Sequence, residues 1–431
     1  MPASLDDVLL VTPPIANFSE TPAPSLGILF LASALRQHGL GVTVLDLPTV
    51  ADADSVFEDA IETVRPVVVG IGCMQQDLAA ALNLVRRAKE LKPRCSVALG
   101  GPGVSALAVT ILEECADADA VVRGEGERSF VEYVLARRSG RPPSDIPGVV
   151  WRSDEGIRDN GAGSLALDLD ELAPPAWDLV DFRYYSSLSS SIPVISTRGC
   201  PAACPFCPSP AFWNYRTRKH RTEGFLNQIE GLVNSYPGGG VYVADDDVAH
   251  DHLHLTSWLS GLREHQLKLD WQCNARLDSL TPRLLEVMRE TGCRRVTVGL
   301  ESASPILRRR IGKGAFSNSE AMLNLRAAKN LGLGLKINLM FGLPGETQRD
   351  VEESLMLIGE IEPDVVTYSA FALYPGTKLE KATRRRGRHG EKQAYKEPLG
   401  LTVLADEDRM ERDITRVEAE LGLSVPRAGS W

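Results

Sequence analysis

The sequence predicts an α/β protein of two parts, each built on a parallel sheet, and two observations indicate this. Short runs rich in β-branched residues alternate with longer stretches in which apolar residues recur at helical spacing. The alternation stops in a polar, proline-bearing segment at about 141–191 and then resumes. Strict alternation of strand and helix is typical of parallel sheets covered by helices.

In the first part, predicted as a domain over 1–140, five strands each precede a helical stretch. Such an order favours a doubly wound, Rossmann-like sheet, in which ligands bind beyond the carboxyl ends of the strands. Several of those ends are rich in glycine, which lets a backbone approach a bulky ligand closely. The predicted strands are 8–11, 42–45, 67–71, 97–100 and 120–123.

The segment 141–191 is predicted to be a linker that contains a hairpin, with strands at 148–152 and 156–158. Six further strands separated by helices follow over 192–378, and they predict a (β/α)6 partial TIM barrel with its working groups at the carboxyl face. The short C-terminal region 379–431 holds a basic run at 384–389 and an acidic helical stretch at 407–421. The six predicted strands are 193–197, 240–244, 268–274, 295–300, 335–341 and 365–373.

Composition and charge exclude several classes of protein. The chain has 431 residues, of which 43% are hydrophobic and 24% charged, so collagen-like and globally disordered readings fail. A net charge of −10 argues against broad binding to nucleic acid or anionic membranes. No apolar run is long enough to span a bilayer, and the N-terminus lacks a basic region, so we expect a cytoplasmic protein with no membrane partner.

Three of the eight cysteines crowd together directly after the first strand of the second part. Cys200, Cys204 and Cys207 follow the spacing CxxxCxxC on one loop. Three thiolates are one fewer than a closed zinc or iron–sulfur site needs, so a metal cluster there would keep an open coordination position. The alternative is a zinc site completed by a distant residue such as His220. The scattered Cys273 and Cys293 are expected to be buried packing residues.

This loop, with Phe206 before its last cysteine, resembles that of the radical S-adenosylmethionine (SAM) superfamily, and the resemblance covers residues 190–378. It implies that the three cysteines hold a 4Fe–4S cluster whose open iron binds the amino and carboxylate groups of SAM. Reduction of the cluster, by a partner such as flavodoxin or ferredoxin, would then cleave SAM to a 5′-deoxyadenosyl radical.

Other strand ends also match this family and imply contacts to SAM. Glu301 would contact the ribose, and the segment from Gly342 would contact the adenine. Arg276 would point toward the pocket, where it could pair with a carboxylate. The acidic run that includes Asp246 replaces the GGE-type segment of other branches, so the group that holds the SAM ammonium stays open. The implied SAM-binding residues are Phe206, Asp246, Arg276, Glu301, Ser302, Asn338, Gly342 and Gly345.

The first part resembles the cobalamin-binding domain that precedes the barrel in one branch of the superfamily. No DxHxxG segment occurs, so we expect no histidine ligand to cobalt, and the residue at its lower side would come from 73–76. A vestigial domain that binds no cobalamin is the alternative. The implied contacts are Ser25, Leu26, Gly27, Met74, Gln75, Gln76, Gly100, Gly101, Gly103, Glu125, Gly126 and Glu127.

The resemblance implies a cobalamin-dependent radical SAM methyltransferase that acts on an unactivated carbon, or phosphorus, of a small-molecule or peptidic substrate in specialised metabolism. The substrate itself and any catalytic residue beyond the cluster ligands stay open. One alternative is a radical SAM enzyme that catalyses a cyclisation, rearrangement or other group transfer, with or without cobalamin. Another is a non-catalytic iron–sulfur or corrinoid-binding protein. His250, His252 and His254 are expected to lie in a solvated segment that enters a helix.

Overall fold

The computed structural model describes residues 7–14, 22–165, 168–314, 316–385, 395–396, 402–403, 414–415 and 419. The chain forms two compact units, Met1–Ser190 with Asn234–Tyr236, and Ser191–Val233 with Pro237–Trp431. Within the described part, no helix is both long and apolar enough to cross a membrane. Most of the predicted basic run 384–389 and acidic stretch 407–421 lies outside the described residues.

The first unit is built on one seven-stranded sheet with the order β2-β1-β3-β4-β5-β6-β7. The first five strands are parallel, as the sequence predicts, while β6 and β7 join as an antiparallel hairpin. The strands are β1 (Val8–Thr12), β2 (Val42–Asp46), β3 (Val68–Gly72), β4 (Ser96–Gly100), β5 (Ala120–Val122), β6 (Val149–Ser153) and β7 (Gly156–Asp159). The helices are α1 (Leu26–Gln37), α2 (Ala53–Val64), α3 (Leu78–Leu91), α4 (Pro102–Ser105), α5 (Ala108–Glu114), α6 (Gly126–Arg138) and α7 (Phe182–Ser187).

The central strands of this sheet are buried along nearly their whole length, as expected when helices cover both faces of a parallel sheet. The segment 141–190 is not detached from it. Its hairpin extends the sheet, and further along the Ala176 amide donates to the Leu29 carbonyl of α1 at 3.2 Å. The domain limits that the sequence suggests stay predictions. In the structure, the segment 141–190 is part of the first compact unit.

The second unit contains six parallel strands in the order β15-β14-β13-β12-β11-β8. The predicted (β/α)6 arrangement is confirmed, with the last predicted strand divided into two at Phe371. Together with the short strands β9, β10, β16, β17 and β18, which lie outside this sheet, the strands of the second unit are β8 (Ser191–Val194), β9 (Thr197–Arg198), β10 (Arg218–Lys219), β11 (Gly240–Val243), β12 (Trp271–Arg276), β13 (Cys293–Glu301), β14 (Gly334–Phe341), β15 (Val365–Ala370), β16 (Ala372–Leu373), β17 (Tyr395–Lys396) and β18 (Thr402–Val403).

Helices connect these strands and cover one face of the sheet. Burial alternates along β12, β13 and β14, so one face is packed and the other, which carries polar residues, is half-exposed. The helices are α8 (Ser209–Phe212), α9 (Thr222–Ser235), α10 (His252–Glu264), α11 (Pro282–Glu290), α12 (Pro305–Arg310), α13 (Asn318–Asn330), α14 (Gln348–Ile361) and α15 (Lys378–Arg385).

At the carboxyl edge of the first sheet, the loops after β3 and β4 are locked together. The Cys73 amide donates to the Gly100 carbonyl at 2.8 Å, and the Gly103 amide donates to the Cys73 carbonyl at 3.0 Å. A Cβ atom at Gly103 would lie 2.3 Å from the Met74 carbonyl carbon. Only glycine therefore allows the two backbones to approach this closely.

Gly103→Ala is expected to destabilise the protein by about 1–3 kcal/mol, because the loop backbone must move to admit the methyl group. Gly27→Ala is a matched control, since a Cβ atom at Gly27 meets nothing within 4 Å and the residue lies in α1. The control should be neutral or slightly stabilising. Thermal unfolding of the two variants checks this, and a Gly103→Ala protein that unfolds at or above the wild-type temperature would contradict it.

Candidate functional site

A buried carboxylate holds the two residues that lead into the cysteine loop. Asp245, which follows β11 and is 0% exposed, accepts hydrogen bonds from both the amide and the hydroxyl of Ser196 and of Thr197, at 2.5–3.0 Å. Burial raises the pKa of Asp245, although the four donors oppose that shift. Because Ser196 and Thr197 lead directly into the loop, Asp245 fixes where the loop leaves the sheet.

Two short strands, one before and one after the cysteines, pair with each other. Strand β9 pairs antiparallel with β10, and between Arg198 and Cys200 the chain turns at Gly199 with a φ of +98°. A Cβ atom at Gly199 would lie 2.2 Å from the Arg216 carbonyl oxygen. Both the positive φ and the close backbone contact require glycine before the first cysteine.

The three cysteines bring three thiols to one loop. Cys200 and Cys207 are half-buried and Cys204 is buried. Burial raises the pKa of the Cys200 thiol to about 11 and of the Cys207 thiol to about 12, with the neighbouring Asp246 adding to both shifts. Of the other five cysteines, three belong to the first unit, and the remaining two, Cys273 and Cys293, are buried in β12 and β13 as predicted.

The zinc alternative loses its proposed fourth ligand. The His220 ring is buried, and its Nε2 atom lies 2.9 Å from Nε2 of Gln228 on α9. Throughout the described ranges, no three His, Cys, Asp or Glu side chains converge on a position for a single metal ion.

The three aspartates after β11 have different roles. Asp246 is the exposed one, and its Oδ2 atom accepts from the Ser209 hydroxyl at 2.5 Å. Asp247 is buried and accepts from the Arg276 amide at 3.1 Å and from the Ser279 hydroxyl at 2.7 Å. All three carboxylates therefore link separate segments of the chain, and Asp246 is the one of the three that remains exposed beside the cysteines.

Arg276 is directed at a cysteine of the loop. Its Nη1 atom donates to Cys204 Sγ at 3.2 Å, and its Nε and Nη2 atoms donate to the Asp278 carboxylate at 2.9 and 2.7 Å. Burial works to lower the pKa of Arg276, but the hydrogen bonds and charge of Asp278 outweigh it and raise that pKa. The Cys204 thiol also lies 3.2 Å from the Gly312 carbonyl oxygen.

Glu301 ends β13 in a left-handed conformation, with a φ of +63°, next to an irregularity in strand register. Its Oε1 atom lies 3.0 Å from Lys313 Nζ, and the same ammonium group donates to the Gly299 carbonyl at 3.3 Å. A strained residue at a strand end indicates a functional position. Lys313 was missed by sequence reasoning, because no motif links it to Glu301. The buried Ser302 uses its hydroxyl to accept from the Ser304 amide.

Three predicted residues lie on β14 or shortly after it. Asn338 pairs in register with Gly299, and its buried Oδ1 atom has no hydrogen-bond partner within the part of the chain that the structure describes. Gly342 and Gly345 both have a φ of +80°. The Glu346 carboxylate accepts from the Gly342 amide at 2.6 Å, and burial raises its pKa to about 7. Sequence reasoning did not single out Glu346.

Phe206 packs into a small apolar cluster at the base of the cysteine loop. The cluster also anchors the loop to α15, because the Leu379 amide donates to the Pro205 carbonyl at 3.0 Å. Its buried members are Leu307, Ile311, Leu343, Phe371 and Leu373.

In the first unit, the strand order reverses between β1 and β3, which is where ligands of doubly wound sheets bind. The loop after β3 exposes Met74 (48% exposed) and Gln76, whereas Gln75 is half-buried. Ser105 joins the loops after β4 and β5, since its hydroxyl donates to the Gly101 carbonyl at 2.8 Å and accepts from the Gly124 amide at 3.1 Å.

The other predicted cobalamin contacts are placed as follows. Ser25, Leu26 and Gly27 begin α1, and Gly100 ends β4. Gly101, like Gly103, serves contact between loops, because its Cβ would lie 2.8 Å from the Cys73 carbonyl oxygen. Gly126 begins α6 with Glu127, and a Cβ there would lie 2.9 Å from Leu31, so helix packing accounts for this glycine. Glu125 is buried.

The histidine segment after β11 departs in part from the solvated stretch expected. His252 begins α10, and Asp251 caps the helix by accepting from the His254 amide at 3.0 Å. His250 and His252 lie 2.7 Å from the backbone carbonyl oxygens of Asp247 and Ser279, respectively. His254 is buried, so the prediction of a solvated side chain is wrong there. Its spacing to Leu255 and Trp258 turns it toward the packed face of α10.

Comparison with known proteins agrees with this geometry. Residues 194–358 match the family model of the radical SAM superfamily, and residues 14–134 match that of the B12 binding domain. The chain is 29% identical over 380 residues to an uncharacterized methyltransferase of Pyrococcus horikoshii, covering 86% of this chain and 82% of the relative. It is 25% identical over 368 residues to the anaerobic magnesium-protoporphyrin IX monomethyl ester cyclase of Rubrivivax gelatinosus, covering 83% of this chain and 65% of the cyclase.

Among solved structures, the fold resembles that of the radical SAM methyltransferase TsrM from Kitasatospora setae, with a TM-score of 0.76 and 19% identity over 90% of this chain and 76% of TsrM. The chain combines a radical SAM domain with a B12 binding domain. Its cofactors are therefore a 4Fe–4S cluster, SAM and cobalamin.

The residues present fit these groups. Three cysteines without a fourth thiol are the donor set of a cluster with one open iron. The Asn338 Oδ1 atom, which has no hydrogen-bond partner among the described residues, lies on β14 in register with Gly299, and the exposed Asp246 acts electrostatically on Cys200 and Cys207. In the first unit, residues 73–77 contain no histidine, and Met74 is exposed at the edge where the strand order reverses. This agrees with a corrin bound without an imidazole ligand.

Glu346→Gln is expected to remove a pH-dependent part of the stability. Because burial raises the pKa of Glu346 from 4.5 to about 7, ionisation destabilises the folded wild type as the pH rises through this range. Relative to wild type, the variant should gain about 1–2 kcal/mol between pH 5 and pH 8, once partial exposure is allowed for. Unfolding in urea at the two pH values checks this, and an equal stability difference at both would contradict it.

Cys204→Ala is expected to abolish most binding of iron, because it leaves two thiols for a cluster that needs three. Cys115→Ala, which changes a buried cysteine of the first unit, is the matched control and should retain the wild-type iron content. Iron and sulfide analysis after anaerobic reconstitution measures this. A full cluster in Cys204→Ala would show that this thiol is not a ligand.

Proposed function

We propose that the chain is a cobalamin-dependent radical SAM methyltransferase that methylates an unactivated carbon, or phosphorus, of a small-molecule or peptidic substrate. The observation that supports this most is the set of three thiols on one anchored loop, combined in one chain with a B12 binding domain. Similarity to a relative named as a methyltransferase supports methyl transfer as the outcome.

Within this proposal, Cys200, Cys204 and Cys207 hold the cluster and leave one iron for the amino and carboxylate groups of SAM. When bound, the cluster and SAM supply an organic radical, and cobalamin supplies the methyl group. An electron carrier such as flavodoxin or ferredoxin is the proposed reductant. The rest of the catalytic task falls to the chain, which must position the reactants and exclude water.

Several side chains are suited to orienting SAM. Glu301, held by Lys313, presents a carboxylate that can accept from ribose hydroxyls. The Oδ1 atom of Asn338 receives no hydrogen bond from the described residues and can accept from an amino or hydroxyl group. Asp246 can accept from the SAM ammonium, which the sequence left without an assigned partner. The loop from Gly342, fixed by Glu346, can lie against the adenine.

In the first unit, the loops after β3, β4 and β5 form the proposed support for cobalamin. Their mutual hydrogen bonds hold them in place without a ligand, so the surface is preorganised. Met74 is the side chain that we assign to the lower side of cobalt, since it is the most exposed large apolar residue of the loop after β3. When cobalamin is bound, a thioether at this position would offer it no nitrogen ligand.

A second candidate is a radical reaction that does not transfer a methyl group. The 25% identity to an anaerobic cyclase over 83% of this chain favours this alternative. The same three thiols and SAM-orienting residues would serve either reaction, so the fate of the SAM methyl group must be measured.

SAM labelled in its methyl group distinguishes the two candidates without knowledge of the substrate. Reconstituted protein loaded with cobalamin and kept under strong reductant should transfer label to the corrinoid. SAM labelled in its adenosyl group is the control and should leave the corrinoid unlabelled. Formation of 5′-deoxyadenosine with no methyl label in the corrinoid would contradict methyl transfer and favour the second candidate.

A further inference from the structure

The Arg276 guanidinium has a partner that the sequence did not anticipate. Its Nη1 atom donates to Cys204 Sγ at 3.2 Å, although Arg276 follows Cys204 by 72 residues. The side chain is largely buried, with 11% exposed, and its own backbone amide is fixed by Asp247 at 3.1 Å. The contact to sulfur is therefore made from the end of β12 by a largely buried arginine and not by an exposed one.

The other edge of the guanidinium is already occupied. Its Nε and Nη2 atoms form two parallel hydrogen bonds to the Asp278 carboxylate, at 2.9 and 2.7 Å. This is the fork that an arginine offers to a carboxylate ligand. Because Asp278 fills it, the carboxylate of SAM cannot bind Arg276 in that bidentate manner, and the expectation that Arg276 pairs with a ligand carboxylate loses its geometric basis.

We propose that Arg276 and Asp278 form a dyad that tunes the reduction potential of the cluster through Cys204. This inference rests on the proposed function only in requiring that Cys204 is a cluster ligand. A hydrogen bond from a cation to a ligand sulfur stabilises the more negative, reduced state, and so raises the reduction potential. Asp278 holds the guanidinium in place and offsets part of its positive charge.

The dyad predicts shifts of opposite sign. Arg276→Gln removes the charge next to Cys204, so the midpoint potential of the cluster should become more negative. Asp278→Asn removes the compensating negative charge while it keeps an acceptor for the guanidinium, so the potential should become more positive. Arg276 is a positioning and tuning residue in this account, because it touches a ligand sulfur and not the reacting atoms.

The test is an anaerobic redox titration of the reconstituted protein, followed by electron paramagnetic resonance of the reduced cluster. Wild type, Arg276→Gln and Asp278→Asn are compared at equal iron content. Arg283→Gln is the matched control, because Arg283 is an exposed arginine of α11 whose guanidinium pairs with Glu286 on its own helix. It should have the wild-type potential.

Binding of SAM to the oxidised cluster is measured in parallel. We expect Arg276→Gln to shift the potential with little change in the SAM dissociation constant. An unchanged potential in Arg276→Gln, or shifts of the same sign in both dyad variants, overturns the proposal. A weaker SAM affinity with an unchanged potential would instead assign Arg276 to the ligand carboxylate. If wild-type protein takes up no cluster, the proposed function itself fails, and that outcome is distinct from the others.

Discussion

One buried carboxylate, that of Asp245, fixes the position from which the cysteine loop starts. A carboxylate removed from water is costly unless hydrogen bonds replace its hydration. Asp245 receives four, all from the two residues that lead into the loop, so the end of β8 and the end of β11 are held as one unit. The loop that follows inherits a fixed starting point, and Gly199 and the β9–β10 hairpin set its direction.

The anchored loop carries three cysteines, one fewer than a closed cluster site needs. Four cysteines would close a site, whereas three leave a coordination position for a small molecule. The other cysteines are buried in different elements, and the histidine that could have completed a zinc site lies beside Gln228. The chemistry proposed for the chain follows from that open position, and the loops of the first unit, held together by their own hydrogen bonds, are the proposed support for cobalamin.

Much of this was predictable from the sequence, because the signals were local. The strands follow from β-branched runs, so both parts of the fold could be predicted, and the spacing of the cysteines singled out Cys200, Cys204 and Cys207 as the expected cluster ligands. Loops at strand ends could also be placed, since parallel strands bring their carboxyl ends to one edge. Contacts between those loops could not. The bond from Arg276 to Cys204 spans 72 residues, and the thiol contact to Gly312 spans 108.

Roles of single side chains were the least predictable feature. Gly126 and Gly101 match a cofactor motif, yet packing against Leu31 and Cys73 accounts for them. His254 looked solvated from its neighbours, but it lies in the first turn of α10 with its side chain on the buried face. Lys313 and Glu346 carry no motif of their own, and only the folded chain shows that they fix Glu301 and the loop from Gly342.

The central claim is that one iron of the cluster lacks a protein ligand and binds SAM. Mössbauer spectroscopy of protein reconstituted with iron-57, with and without SAM, tests it most directly. If one iron is open, SAM should alter the signal of that single iron and leave the other three unchanged. A spectrum in which all four irons keep sulfur ligation and do not respond to SAM would contradict it.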